Sequence, residues 1–282
     1  GSFLPPEVPD DENFGAIPLL RETVRRAEPR SRIVFDAPVF KEFGFADLDA
    51  PHRALRDKWP EQYPAGEAPE AAVLRTLKRV DAEMAELRLA SCRRHSVVCL
   101  TERERANPAI AMSQGGVNFV VIRNLAHVFS TSALANIEAG NLDLAIEDLR
   151  VCAQAARLGQ SDNSLVGAMM GSAVVGLAVT VLDGGQLEYR WSSAQLLELQ
   201  SIFGDLEILA KLTMTGIPNE AARLILQMNE NEGRELPKFR IDEYDVVRSA
   251  LWPRGWFDQN RVNVLRGTAD YWLAAYDPAI RR

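Results

Sequence analysis

Residues 133–149 read Ala-Leu-Ala-Asn-Ile-Glu-Ala-Gly-Asn-Leu-Asp-Leu-Ala-Ile-Glu-Asp-Leu, and this stretch decides the fold. Apolar residues recur at spacings of three and four on both sides of Gly140-Asn141, a pair whose turn chemistry ends one helix and begins the next. The pattern predicts a helix over 118–139, a tight turn, and a second helix over 142–158. Ala133 and Ala145 are small, so the two helices can approach closely, and Gly140 stops the first one.

Working outward, residues 159–163 form a second turn signal. A very apolar helix is expected over 163–182, and Asp183-Gly184-Gly185 stops it. Ser192 can cap the following helix, with Gln195 three residues on as in a capping box, and that helix is expected to run to Leu212. Gly216-Ile217-Pro218-Asn219 opens another, reaching about Met228, before a polar loop over 229–235. The last helix is expected over 259–276, with Val262, Leu265, Ala269, Trp272 or Leu273, and Tyr276 on one face.

Upstream, Pro69 stands at the first position of a helix, where its missing N–H costs nothing. Val73, Leu77, Val80, Met84 and Leu87 then mark one amphipathic face. Residues 101–116, with Asn107-Pro108 and Gly115-Gly116, read as a loop. The opening stretch carries Pro5, Pro6, Pro9 and Pro18 around Asp10-Asp11-Glu12, so it reads as an extended arm, either leading away from an anchor or draped as a plain tail over the core. Ile33-Val34-Phe35 can be a short strand or a docked extended segment.

The expected organisation is an irregular arm over 1–45 and a single helical domain over 46–282. The fold class is mainly α, with antiparallel helical hairpins packed as a bundle or a short irregular α-solenoid. Residues 163–182 carry no charge, and at about 1.5 Å per residue they are long enough to cross a hydrocarbon core. Asn163, Ser164, Ser172 and Thr180 interrupt the stretch, and Asp162 and Asp183 flank it where Lys or Arg would mark a membrane boundary. It is therefore expected to be the central core helix, hydrophobic all round because it is surrounded. Val166, Met170, Val174, Leu177 and Val181 form one stripe. Gly167, Gly171 and Ala178 form another, where a neighbouring backbone can come close.

Over 282 residues the chain is 47% hydrophobic and 25% charged, with a formal charge of −7. This is an ordinary globular composition. The acidic balance argues against nucleic acid, which selects a basic face, and against docking on an anionic membrane. Cys92, Cys99 and Cys152 are too few for a disulfide framework. The chain begins Gly1-Ser2 without an initiator Met, as a mature form cut after a signal or anchor would, or as a cloning junction would.

The segment 133–149 resembles one tetratricopeptide repeat. Ala133, Gly140, Ala145 and Leu149 match that pattern in order, and Phe129 stands at its first aromatic position. Asn136 departs from it, since a large aromatic is usual there, and no Pro ends the unit near Arg157. There is no second clean copy. A wider resemblance rests on the Pro-rich opening ending in Asp11-Glu-Asn-Phe14, the Ala139-Gly-Asn-Leu142 hairpin, the Trp191-Ser-Ser-Ala-Gln-Leu196 helix start and the Pro253-Arg-Gly-Trp-Phe-Asp-Gln-Asn260 run. On these the chain resembles a family of exported, helical, uncharacterised bacterial proteins with a membrane segment ahead of the arm. The resemblance implies the cell envelope or periplasm, with membrane contact only through a removed N-terminal anchor. It brings no catalytic residues.

Chemistry-bearing patterns are sparse. Cys92, His95 and Cys99 would share a face if helical, and thiolate and imidazole suit zinc. A fourth ligand is missing, and the plainer reading is two buried cysteines and a hydrogen-bonded histidine. No metal and no cofactor are expected. His52 and His127 are isolated. Ser130 and Thr131 lie near His127, but no nucleophile elbow supports a catalytic pair. Phosphate-loop, dinucleotide and His-Glu-x-x-His motifs are absent. Glu83, Glu86, Glu138, Asp143, Glu147 and Asp148 are expected on exposed helix faces. The most distinctive run is Trp252-Pro-Arg254-Gly-Trp256-Phe-Asp-Gln-Asn260-Arg261, with Tyr271, Trp272 and Tyr276 beyond it. Trp252, Arg254, Trp256, Asn260 and Arg261 are the candidate binding residues, because aromatic and Arg side chains dominate recognition surfaces. The plainer reading is aromatics pinning the last helix. Two functions follow: a protein- or peptide-binding module of the envelope, and, behind it, a carboxylate-based hydrolase of an envelope or extracellular polymer.

Overall fold

The computed structural model describes residues 4–24, 67–106, 117–187, 191–208 and 211–222, together with positions 262, 263 and 266. The described residues are mainly helical. In order they form α1 (Pro18–Thr23), α2 (Pro69–Leu77), α3 (Asp81–Ser91), α4 (Glu102–Ala106), α5 (Phe119–Glu138), α6 (Leu142–Gln160), α7 (Leu165–Leu187) and α8 (Ser193–Phe203). The chain divides into two compact units. One is Gly1–Asp162 with Gly167–Ile208, and the other is Asn163–Val166 with Leu209–Arg282.

The α5–α6 hairpin is the framework of the first unit. Gly140 sits at φ +79°, the left-handed conformation that a helix end adopts most cheaply with glycine. Ala133 and Ala145 are fully buried, as small residues between close helices must be. Around them lie Leu125, Phe129, Ile137, Ile146, Leu149 and Leu158. Burying each such side chain contributes about 1.5–3 kcal/mol. α2 packs on α5, while α3 and α8 pack on α6. With three neighbours, α6 is buried almost continuously from Val151 to Gln160.

The amphipathic face expected from Pro69 is present, and Val73, Leu77, Val80, Met84 and Leu87 are all buried. It is carried by two helices rather than one, with a 3-10 turn at Lys78–Val80 between them. The expected loop after residue 100 begins instead with the short helix α4. Thr101 and Glu104 close a capping box there: the Thr101 N–H donates to Glu104 Oε2 (2.7 Å), and the Glu104 N–H donates to Thr101 Oγ1 (3.3 Å). The Ser192–Gln195 capping box is formed as expected. The helix it starts ends at Phe203, short of Leu212, because Gly204 follows, and glycine is a poor helix residue.

The apolar stretch departs most from expectation. Helix α7 is not surrounded: 33% of its apolar window, Leu165–Asp183, is buried. Gly167, Gly171, Val174, Ala178 and Val181 face inward. A Cβ on Gly167 would collide with the Gly159 carbonyl, so the close approach foreseen at these glycines occurs against the end of α6. The opposite face is open to solvent. The central helix of the described core is α6, because its circumference, unlike that of α7, is shared among α3, α5 and α8.

In the second unit, Asn163 adopts φ 57°, a conformation asparagine tolerates better than most residues. Its carbonyl accepts a hydrogen bond from Asn219 Nδ2 at 3.0 Å. A π-helical turn at Lys211–Gly216 precedes the short helical stretch over 217–222, in which Ile217 and Ala221 are buried.

Candidate functional site

The strongest concentration of polar chemistry lies inside the α5–α6 hairpin. Asp148, expected on an exposed face, is completely buried. Its Oδ1 accepts from Arg88 Nε at 2.7 Å and its Oδ2 from Asn136 Nδ2 at 3.0 Å. The Ser132 hydroxyl also bonds the carboxylate, and Arg88 Nη2 lies 3.4 Å from Ser132 Oγ. The guanidinium sits 5.9 Å from the Phe129 ring centre. Asn136 is thus a buried polar partner where the repeat pattern has a large aromatic. The cluster joins α3, α5 and α6 at one point.

Its electrostatics follow from burial. Loss of solvent pushes the Asp148 carboxyl above the usual carboxylate range, while Arg88, Ser132 and Asn136 pull the other way. The Cys152 thiol, one turn on, is completely buried and donates to the Ala126 carbonyl, and burial and the Asp148 charge push it up. Every partner that Asp148 needs is supplied by the fold. The cluster ties the three helices together through buried polar contacts.

A second polar assembly fixes the arm. Asn13 Oδ1 accepts from Val97 N at 2.8 Å and from Gly15 N at 3.1 Å, while its Nδ2 donates to Val97 O at 2.9 Å. Phe14 N donates to His95 O (2.8 Å), and His95 N donates to Glu12 O (3.0 Å). Phe14, Ile17 and Leu20 then enter the core. The residues over 10–24 are therefore packed as short 3-10 and α-helical turns, and the Asp-Glu-Asn-Phe motif is explained as a latch. Gln154 holds the other side of the segment, donating to the Ser91 and Arg93 carbonyls, both at 2.8 Å.

This latch also undoes the geometry imagined for Cys92, His95 and Cys99. Helix α3 ends at Ser91, so the three residues lie on a turn and an extended segment and do not share a helical face. Cys92 is exposed and faces Arg150, His95 lies beside Glu12, and Cys99 accepts from Asn13. Among the described residues no group of three metal-ligating side chains comes together. The Ser130 hydroxyl donates to the His127 backbone carbonyl at 3.1 Å, not to the imidazole. Burial, and then Arg123, hold His127 below the usual histidine range. Glu104, the other buried carboxylate among the described residues, is committed to its cap.

Helix α8 is clipped to α6 by three polar contacts spaced seven residues apart along α6: Asp143 with Gln195, Arg150 with Glu198, and Arg157 with the Ile202 carbonyl. Asp143, Arg150 and Arg157 of α6 are in this way each given a partner on α8.

The solvent face of α7 is the marked surface feature. Met169, Ala173, Gly176 and Val179 lie along it at spacings of four, three and three, all exposed. Met169 and Val179 are 58% and 52% exposed, and a Cβ on Gly176 would meet nothing within 4 Å. Exposed apolar side chains scattered singly are unremarkable, but an aligned uncharged stripe on one helix is the form taken by interaction surfaces. Sequence reading missed it because apolarity all round the helix hides which face is covered. Trp252, Arg254, Trp256, Asn260 and Arg261 lie outside the described residues, as do His52 and the aromatics at 271, 272 and 276.

No family model matches the sequence, and neither curated proteins nor solved structures give a match to it.

Proposed function

We propose that this chain is a helical interaction module of the cell envelope that binds an apolar segment of a protein or peptide partner along the outer face of α7. The aligned exposure of Met169, Ala173, Gly176 and Val179 carries this reading. The small residues in the middle would let a partner helix approach closely, with Met169 and Val179 gripping it on either side. We take the α5–α6 hairpin as a single tetratricopeptide-like unit serving as the scaffold, supported by buried Ala133 and Ala145 and the left-handed Gly140. The envelope location rests on the sequence resemblance. Among the described residues nothing favours the carboxylate-hydrolase alternative, since the buried carboxylates Asp148 and Glu104 both have structural partners.

The test is position-dependent photocrosslinking in native envelope extracts. A photoreactive residue at Met169 or Val179 is expected to give one discrete adduct, lost on adding Ala173→Glu. The same probe at Leu89, an exposed apolar residue among the charged side chains of α3, is expected to give none. Equal labelling at all three sites, or none at any, overturns the proposal. An adduct of the mass of two copies of this chain would replace the foreign partner with self-association.

A further inference from the structure

We draw no further inference here: the strongest candidate, the solvent-facing apolar stripe of α7 through Met169, Ala173, Gly176 and Val179, belongs to the surface already described, and nothing in the structure shows what covers it.

Discussion

Helices α6 and α7 are neighbours in the chain and are opposite in kind. α6 carries Asp143, Glu147, Asp148, Arg150 and Arg157, yet it is the helix around which α3, α5 and α8 assemble. α7 carries no charge between 163 and 182, yet only one of its faces is covered. Hydrophobicity therefore does not decide which helix is central. What matters is whether the charged groups on the helix find partners. On α6 the charged groups in the core do: Asp148 meets Arg88 and Asn136, and Arg157 meets the Ile202 carbonyl, while Gln154 spends its Nε2 on two carbonyls and leaves its Oε1, like Gln160 Nε2, without a partner. A satisfied polar group can be buried at little cost, whereas an unsatisfied one costs about 1–3 kcal/mol.

The hardest test of this contrast is to unpair α6. Arg88→Ala leaves the Asp148 carboxylate buried without its cation, and the expected loss is about 3–5 kcal/mol in urea denaturation. Replacing the whole set with apolar groups of similar size, as in Arg88→Met with Asp148→Leu and Asn136→Leu, should recover most of that loss. A single variant that unfolds at the wild-type midpoint would show that the cluster is not what centres α6.

The arm latch tests the same principle on a smaller scale. Asn13→Ala strips both the N–H and the carbonyl of Val97 of their side-chain partner. The expected cost is about 1–3 kcal/mol for each group left unsatisfied. Amide exchange at Val97 should quicken in the variant, and unchanged protection there would break the assignment.

The buried carboxyl also sets a pH dependence, and its sign is specific. Asp148 titrates higher folded than unfolded, so the native state holds the proton more tightly. Its contribution to stability is therefore greatest in acid, below the unfolded carboxylate range. It falls as pH rises through the folded value. Relative to Asp148→Asn, the wild type should gain stability as pH is lowered from neutral. A wild type that instead gains on the variant as pH rises would mean that pairing with Arg88 outweighs burial.

The smallest stability effect is expected on α7. Met169→Gln with Val179→Gln should change unfolding free energy by less than about 0.5 kcal/mol, because neither side chain is part of the core. The same pair should abolish photocrosslinking from an unchanged neighbour on the stripe. A loss of several kcal/mol would show the outer face of α7 to be covered within the protein.

Local signals were legible where short-range chemistry sets the answer. The Gly140-Asn141 turn, the Ser192–Gln195 cap and the Val73-to-Leu87 face follow from neighbouring residues and are as read. The Thr101–Glu104 cap was equally legible and was hidden by the Pro and Gly signals that follow it. The candidate site was not legible. Asp148 looks like any acid on a charged helix until Arg88, sixty residues earlier, is placed beside it. The three-residue set Cys92, His95 and Cys99 depends on a helix that ends at Ser91, and the latch through Asn13 takes its place.

By itself, then, the sequence determined the helical class, the α5–α6 turn and the caps, because periodicity and turn preference act over a few residues. The tertiary structure alone decided that α6 is central, that Asp148 is buried and that α7 turns an apolar face outward. Those outcomes depend on which distant groups satisfy a polar atom or cover an apolar one, and partners far apart in the chain leave no mark in local sequence.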